Sequence, residues 1–158
     1  MVFEDWLDQT GLTSTILERV SSIDELTQAQ RRGHLWVALA PEGLPIGFAL
    51  VKEVGRVAHL DELQVLPEHG RRGVGSRLLR TVCESSIRAG YPAVTLSTFT
   101  DIPWNAPFYE RRGFRVILRD RLLPPHAELV EAERARGLRT DLRVMMVYPA
   151  TAAGSCTG

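Results

Sequence analysis

The sequence is short of lysine and carries no net charge. Among its 158 residues, 19 are basic and 19 are acidic, and Lys52 is the only lysine. A neutral chain lacks the basic excess that is typical of proteins that bind DNA or other polyanions. We therefore expect no nucleic-acid partner.

Cysteine is equally scarce. Cys83 and Cys156 are the only two, too few for the disulfide framework of a small secreted protein. Cys83 falls on the apolar stripe of a predicted helix, where a buried thiol is the common interpretation. Cys156 belongs to residues 150–158, a run of small residues that predicts a disordered tail.

Long apolar runs and metal-binding motifs are also lacking. No segment is apolar over the length of a membrane span, and the first residues have neither the charged nor the apolar region of a signal peptide. The histidines show no HExxH spacing, and the cysteines form no CxxC pair. We therefore expect a cytoplasmic protein with no membrane partner and no metal site. The scattered histidines are His34, His59, His69 and His126.

Hydrophobic periodicity predicts helices followed by a sheet in the first half of the chain. Apolar residues recur at helical spacing over residues 3–31, which predicts two or three short helices, with Ser22 or Asp24 as a cap. Three strand-like runs follow, joined by short turns, and they predict an antiparallel meander. These runs are residues 35–40, 46–54 and 57–65.

The second half alternates helices and strands. A 3.6-residue stripe from Leu78 to Ile87 predicts a helix that ends at Gly90, with Pro92 just beyond. The order of elements indicates an α/β (α+β) fold in one domain over residues 1–149. The remaining predictions are a strand at 93–99, a short helix at 103–113, a strand at 114–118, a helix at 124–137 and a last strand at 142–149.

A cationic, glycine-rich stretch, PEHGRRGVG, separates a strand from a helix at residues 67–75. Unpaired N–H groups and the helix dipole at such a junction suit a phosphate. Gly73 and Gly75 would allow a ligand to approach the backbone closely, and Arg71 and Arg72 would add positive charge beside it.

Two common phosphate-binding motifs do not fit this stretch. A Walker loop requires a lysine after its second glycine, and Lys52 lies upstream of the stretch. A dinucleotide fingerprint would require glycine where Leu78 stands, and it expects a parallel start rather than a meander. A structural turn without a ligand remains the alternative at this point.

Two motifs together resemble the GNAT superfamily of N-acyltransferases. The stretch VLPEHGRRGVGSRLL resembles its acyl-CoA loop, V-x-P-x-x-[QR]-x-x-G-x-[GA]. The departure is Gly70, which stands where Gln or Arg is usual. The stretch WNAPFYERRGF resembles the second signature of the superfamily, and the resemblance covers residues 34–118. The matching residues are Val65, Pro67, Gly73 and Gly75 in the loop and Asn105, Phe108, Tyr109, Gly113 and Phe114 in the second motif.

The resemblance implies a mixed central sheet with flanking helices and an acyl-CoA cleft where two central strands splay apart. These strands would be residues 57–65 and 93–99. The pantothenate arm of acetyl-CoA would bond to the backbone at Gln64 and Val65. The pyrophosphate would lie on the N–H groups of Arg71, Arg72, Gly73, Val74, Gly75 and Ser76.

The resemblance also implies residues for the chemistry. Tyr109 would be the general acid for the thiolate, and Asp61 or Glu62 the base, with a slight preference for Glu62. A solvated or salt-bridged pair is the alternative for the two acids. Asn105 would bind the cofactor arm or cap its helix. Phe108 would pack beside the cofactor, and Arg112 would approach its phosphates or lie on a solvated helix face.

The expected activity is transfer of an acetyl group from acetyl-CoA to a primary amine of a small molecule or protein. The alternative is a non-catalytic acyl-CoA-binding module of the same fold. Dimers are common in the family, which leaves a homodimer open. None of the first 33 residues predicts the strand with which the family usually begins. The segment 124–140 inserts a charged helix before the last strand, and we expect it to cover the acceptor side. Its charged end, ERARGLR, is most simply interpreted as solvated.

Overall fold

A computed structural model describes residues 22–70, 72–100 and 102–151. Three predictions therefore lie outside the described residues: the helices before Ser22, the missing first strand of the family and the disordered character of residues 152–158. Arg71, predicted to bind the pyrophosphate, also lies outside them.

Four helices and six strands make up the regular structure of the described residues. Short 3₁₀ turns at Pro67–His69, Arg119–Arg121 and Thr140–Leu142 complete it. The helices are α1 (Ile23–Arg31), α2 (Val74–Arg88), α3 (Asn105–Glu110) and α4 (Pro124–Ala135). The strands are β1 (Leu35–Leu39), β2 (Pro45–Val54), β3 (Val57–Val65), β4 (Ala93–Phe99), β5 (Arg115–Ile117) and β6 (Arg143–Pro149).

The strands form one mixed sheet in the order β1-β2-β3-β4-β6-β5. β1 is antiparallel to β2, and β6 is antiparallel to both β4 and β5. β3 is parallel to β4, with Ala58 opposite Val94 and Leu60 opposite Leu96. The predicted mixed α/β fold is confirmed, and β3 and β4 have the predicted bounds.

The chain divides into two compact units, and each is built from two stretches. The first unit comprises Met1–Val51 and Glu62–Leu79, and the second comprises Lys52–Asp61 and Arg80–Gly158. The prediction of a single domain over residues 1–149 stays a prediction.

In the first unit, α1 begins at a capping box. The Ser22 hydroxyl accepts a hydrogen bond from the Glu25 N–H at 3.3 Å, and the Glu25 carboxylate accepts one from the Ser22 N–H at 2.6 Å. This arrangement satisfies two N–H groups that would otherwise lack partners. Leu26 is buried with Phe48 and Leu50, so the helix covers β2 on its apolar side. Ser22, one of the two predicted caps, is confirmed.

In the second unit, α2 ends as predicted at Gly90. The Gly90 N–H donates to the Ile87 carbonyl, and the Tyr91 N–H donates to that of Ser86. Gly90 has a φ of +100°, which glycine adopts without the steric cost of a Cβ. The buried apolar core of this unit includes Val82, Val94, Leu96, Phe114 and Met146.

Also in the second unit, α4 begins with the prolines of the PPH sequence, whose fixed φ and missing N–H suit a first turn. The end of this helix differs from the prediction. The stretch ERARGLR suggested a solvated helix end, yet Glu133 is buried. Its carboxylate lies 3.3 Å from the Arg143 guanidinium of β6, and this pairing offsets the cost of burying the charge. No helix within the described ranges is both long and apolar enough to cross a membrane.

Candidate active site

In the first unit, the described residues of the glycine-rich stretch, 67–70 and 72–75, lie between the end of β3 and the first turn of α2. The Leu66 N–H donates to the Ile46 carbonyl at 2.8 Å, which anchors the end of β3 to β2. Gly70 ends the short 3₁₀ turn, and its N–H donates to the Pro67 carbonyl at 3.1 Å. A Cβ at Gly70 would lie 3.2 Å from that carbonyl oxygen. The departure from the family pattern therefore sits where the turn has little room for a side chain.

Gly73 sets the direction in which α2 begins. Its φ of +80° lies in the left-handed region, where a residue with a Cβ is strained. The first helical bond runs from the Arg77 N–H to the Gly73 carbonyl at 3.0 Å. Helix geometry therefore directs the N–H groups of residues 73–76 out of the helix N-terminus. This is the geometry in which backbone amides bind an anion.

Gly47 of β2 lies directly against the backbone of β3 beside this turn. The sequence contained no indication of this close approach. A Cβ at Gly47 would lie 2.7 Å from the Gln64 carbonyl oxygen and 3.3 Å from side-chain atoms of Leu78 and Val65. Glycine therefore allows β2 to approach the predicted pantothenate-binding residues closely. Its position inside a strand is a recognised sign of such an approach.

In the second unit, Asp61 forms an ion pair. One of its carboxylate oxygens lies 2.8 Å from the Lys52 Nζ, and both side chains are partly exposed, at 38% for Lys52 and 30% for Asp61. The sequence left open whether the acids at 61 and 62 form a base or a salt bridge, and the structure shows a salt bridge for Asp61. Glu62 belongs to the first unit and is half-buried.

Two histidines that looked scattered in the sequence meet in the second unit through Thr95. The Thr95 hydroxyl lies 2.9 Å from His59 Nδ1 and 2.9 Å from His126 Nε2. All three side chains are buried, with His59 only 2% exposed. Because burial disfavours the charged ring, the pKa of His59 is lowered to about 3. The charges of Lys52 and Arg143 act in the same direction, and the charge of Asp61 opposes them.

The pKa of His126 is also lowered by burial. Both rings are therefore neutral near neutral pH. The alternation of β3 places His59 on the same face as Asp61. The sequence could not pair the residues of this network, because they lie 36 and 31 positions apart in the chain. No group of three metal-ligating side chains occurs in the part of the chain that the structure describes.

Tyr109 lies on α3 inside an aromatic cluster of the second unit. Its ring contacts Phe108 edge-on at 5.1 Å between centroids and Phe114 at 5.8 Å, and Phe114 in turn contacts Tyr148. Burial raises the pKa of the Tyr109 phenol, an effect that the charge of Arg112 partly offsets. The phenol therefore keeps its proton at neutral pH, as a general acid requires.

The structure bears on two alternatives that the sequence left open, one for Asn105 at the start of α3 and one for Arg112 just beyond its end. Asn105 is the first helical residue, the N-cap is Trp104, and no side chain caps this helix. The interpretation of Asn105 as a helix cap is therefore wrong. Arg112 is stacked over the Phe108 ring at 3.7 Å and donates to the Phe108 carbonyl at 2.7 Å. The guanidinium is thus held against the helix while remaining partly exposed, so its contact with a phosphate stays a prediction.

A cavity of about 160 Å³ lies beside α4 in the second unit. Its walls are mostly apolar, and the Glu133–Arg143 ion pair lines one side. The sequence did not indicate this cavity, because it is built from strand, helix and turn residues far apart in the chain. Its apolar lining residues include Ile117, Leu118, Leu122, Val130 and Met145.

The predicted site residues therefore fall into two groups. The first unit holds the predicted cofactor-binding residues from β3 to the start of α2, together with Glu62, and the second holds the predicted general acid and its neighbours. The first group is Glu62, Gln64, Val65, Arg72, Gly73, Val74, Gly75 and Ser76, and the second is Asp61, Asn105, Phe108, Tyr109 and Arg112.

Comparison with known proteins identifies the family. Residues 2–114 match the model of the acetyltransferase (GNAT) family, and the chain belongs to this family. It is 30% identical over 105 residues to the uncharacterized N-acetyltransferase YafP of Escherichia coli K12. The match covers 65% of this chain and 61% of that relative, so it leaves more than a third of the relative unmatched.

Solved structures share the fold at low sequence identity. A GNAT-family acetyltransferase from Staphylococcus aureus Mu50 superposes with a TM-score of 0.64 at 15% identity, over 94% of this chain and 93% of that one. The PaiA N-acetyltransferase of Thermoplasma acidophilum, solved in complex with coenzyme A, gives 0.60 at 18% identity, over 92% and 76%. These likenesses confirm the GNAT fold that the two motifs predicted.

Proposed function

We propose that this protein is an N-acetyltransferase that transfers the acetyl group of acetyl-CoA to a primary amine of a small molecule or a protein. The observation that carries the proposal is Tyr109, a half-buried tyrosine that packs against Phe108 and Phe114 and whose phenol pKa is raised by desolvation, within the second motif of an acetyltransferase family. The coenzyme A complex of the PaiA relative supports acetyl-CoA as the donor.

The turn between β3 and α2 would hold the pyrophosphate of the cofactor. The N–H groups of residues 73–76 leave the helix N-terminus together, and the helix dipole favours a negative charge there. Arg72 is exposed beside the turn, where it would add a mobile positive charge. The pantothenate arm would bond to the backbone of Gln64 and Val65 in the manner of an added strand.

Residues of α3 and its C-terminal end would complete the cofactor contacts. Asn105 is half-buried at the start of the helix, and its amide would hydrogen-bond the cofactor arm. Phe108 would pack beside that arm. Arg112 would reach a phosphate only by leaving the Phe108 ring, so its contribution would be smaller than that of the backbone amides.

The reaction requires a proton to leave the amine and another to reach the sulfur. An alkylamine has a pKa near ~10 and attacks only as the free base. Asp61 or Glu62 would accept its proton, directly or through water. The amine nitrogen would then bond to the thioester carbonyl carbon, the carbon–sulfur bond would break, and the Tyr109 phenol would protonate the departing thiolate. The second proton of the nitrogen would return to the Tyr109 phenolate.

The test separates cofactor binding from chemistry. Acetyl-CoA binding is measured by calorimetry, and CoA release with a panel of amines is measured by a thiol assay. Tyr109→Phe should lower kcat by about 100-fold or more, the usual contribution of a general acid, while leaving the Kd for acetyl-CoA unchanged. Tyr91→Phe is the matched control, because it removes a phenol that donates to the Glu53 carboxylate and to which no step of the reaction is assigned.

A second pair of variants tests the turn. Gly73→Ala should weaken acetyl-CoA binding at least tenfold, on the order of one lost charge-assisted hydrogen bond. Gly137→Ala introduces the same kind of strain at φ +89° and should leave binding unchanged. Normal kcat in Tyr109→Phe would refute the role of Tyr109. Tight binding without turnover on any amine would favour the acyl-CoA-binding module.

A further inference from the structure

Lys52 combines three properties that no other residue shares. It is the only lysine of the chain, so it carries the only side-chain primary amine. Its Nζ lies 2.8 Å from a carboxylate oxygen of Asp61, and 38% of its side chain is exposed. The amine is thus accessible to a reagent and already in contact with a carboxylate.

We propose that Lys52 is an acetylation site and that the protein acetylates it itself. The inference rests on the proposed function, because that function supplies acetyl-CoA as the donor. An external acceptor amine needs a carboxylate within hydrogen-bond reach to take its proton. The Lys52 amine already has this contact within its own chain, and the contact involves one of the two predicted bases.

The transfer follows the chemistry of an external acceptor. Asp61 takes a proton from the Lys52 ammonium, and the free amine attacks the carbonyl carbon of acetyl-CoA. A nitrogen–carbon amide bond forms, the carbon–sulfur bond breaks, and the CoA thiolate takes a proton from Tyr109 or water. The nitrogen then gives its second proton to the phenolate or hydroxide that is left. Nε-acetyl-lysine and CoA are the products, and no oxidant or further reactant is consumed.

The modification would change the charge around Asp61. Acetyl-lysine is neutral, so the ion pair with Asp61 is lost. The positive charge of Lys52 also contributes to the lowered pKa of His59, and the Asp61 charge opposes it. Acetylation therefore leaves the Asp61 carboxylate without its cation. That carboxylate becomes available to an external ammonium, so the modified enzyme should bind cationic acceptors better.

Because Lys52 is the sole lysine, mass spectrometry can localise the product without ambiguity. The purified protein is incubated with acetyl-CoA, and digestion after arginine places Lys52 in the peptide of residues 33–56, apart from the N-terminal amine. We expect one acetyl group on that peptide. The rate should be first order and independent of protein concentration, as for a transfer within one molecule. Lys52→Arg keeps the positive charge and should give an unmodified peptide.

Two further variants separate catalysed transfer from chemical acetylation. Asp61→Asn should slow modification of Lys52 by about 100-fold or more, the usual contribution of a general base. Asp120→Asn, in an exposed turn of the same unit, should leave the rate unchanged. The chain unfolded in urea gives the uncatalysed background. A rate equal to that background, or one that Asp61→Asn does not alter, would overturn the proposal.

The outcome also separates this inference from the proposed function. A protein that binds acetyl-CoA and acetylates added amines, yet leaves peptide 33–56 unmodified, refutes Lys52 as a site and retains the acetyltransferase. A rate that rises with protein concentration refutes transfer within the chain. A protein that fails to bind acetyl-CoA refutes both.

Discussion

Lowering the pH should destabilise this protein through His59. The pKa of His59 is lowered from 6.5 to about 3 in the folded protein, chiefly because the ring is buried. At a pH between these two pKa values, His59 is protonated in the unfolded chain but not in the folded protein. The free energy of unfolding therefore falls as the pH falls. The loss is about 1.4 kcal/mol per pH unit, and lowering the pH from 7 to 5 should cost about 2 kcal/mol from His59 alone.

His126 adds to this loss, because burial also lowers its pKa. The assay is urea unfolding at pH 7 and pH 5 for the wild type and for His59→Gln, whose amide can still bond Thr95. The fall in unfolding free energy should be smaller by about 2 kcal/mol in His59→Gln. His69→Gln changes a half-buried histidine of the surface turn and should keep the wild-type fall. Equal falls in the wild type and His59→Gln would refute the reasoning.

Two further predictions concern the first unit. Gly47→Ala places a Cβ 2.7 Å from the Gln64 carbonyl oxygen, and such overpacking should cost about 1–3 kcal/mol of unfolding free energy in urea titration. It should also weaken acetyl-CoA binding, since the Gln64 backbone must move; an unchanged Kd would argue against that backbone as a cofactor contact. Ser22→Ala removes the cap of α1 and should cost about 1 kcal/mol, whereas wild-type stability would show that the Glu25 carboxylate alone supports the helix.

The bounds of helices and strands such as β3 and α2 could be predicted because they depend on residues close together in the sequence. The change from a two-residue to a 3.6-residue period between β3 and α2 marks both elements, and Gly90 followed by Pro92 marks the end of α2. The family motifs occupy the junctions that follow β3 and β4, so the sequence placed Gly73 and Tyr109 on the correct elements.

Contacts between distant segments could not be predicted in the same way. The approach of Gly47 to Gln64 depends on how closely two strands pass, and a lone glycine in a strand does not identify its neighbour. The charged end of α4 looked solvated because its partner, Arg143, lies ten positions away on a strand. Such pairings depend on register and helix docking, which the period of a segment does not encode.

The hydroxyl group between the two buried histidines restricts their protonation patterns. Thr95 has a single hydroxyl proton, so it can donate to His59 or to His126 but not to both. At least one ring must therefore carry its own proton on the nitrogen that faces Thr95. A change of tautomer in one ring must be matched by rotation of the hydroxyl or by a change in the other ring. The two imidazoles thus behave as one coupled unit with a small set of allowed states, although one lies on a strand and the other on a helix.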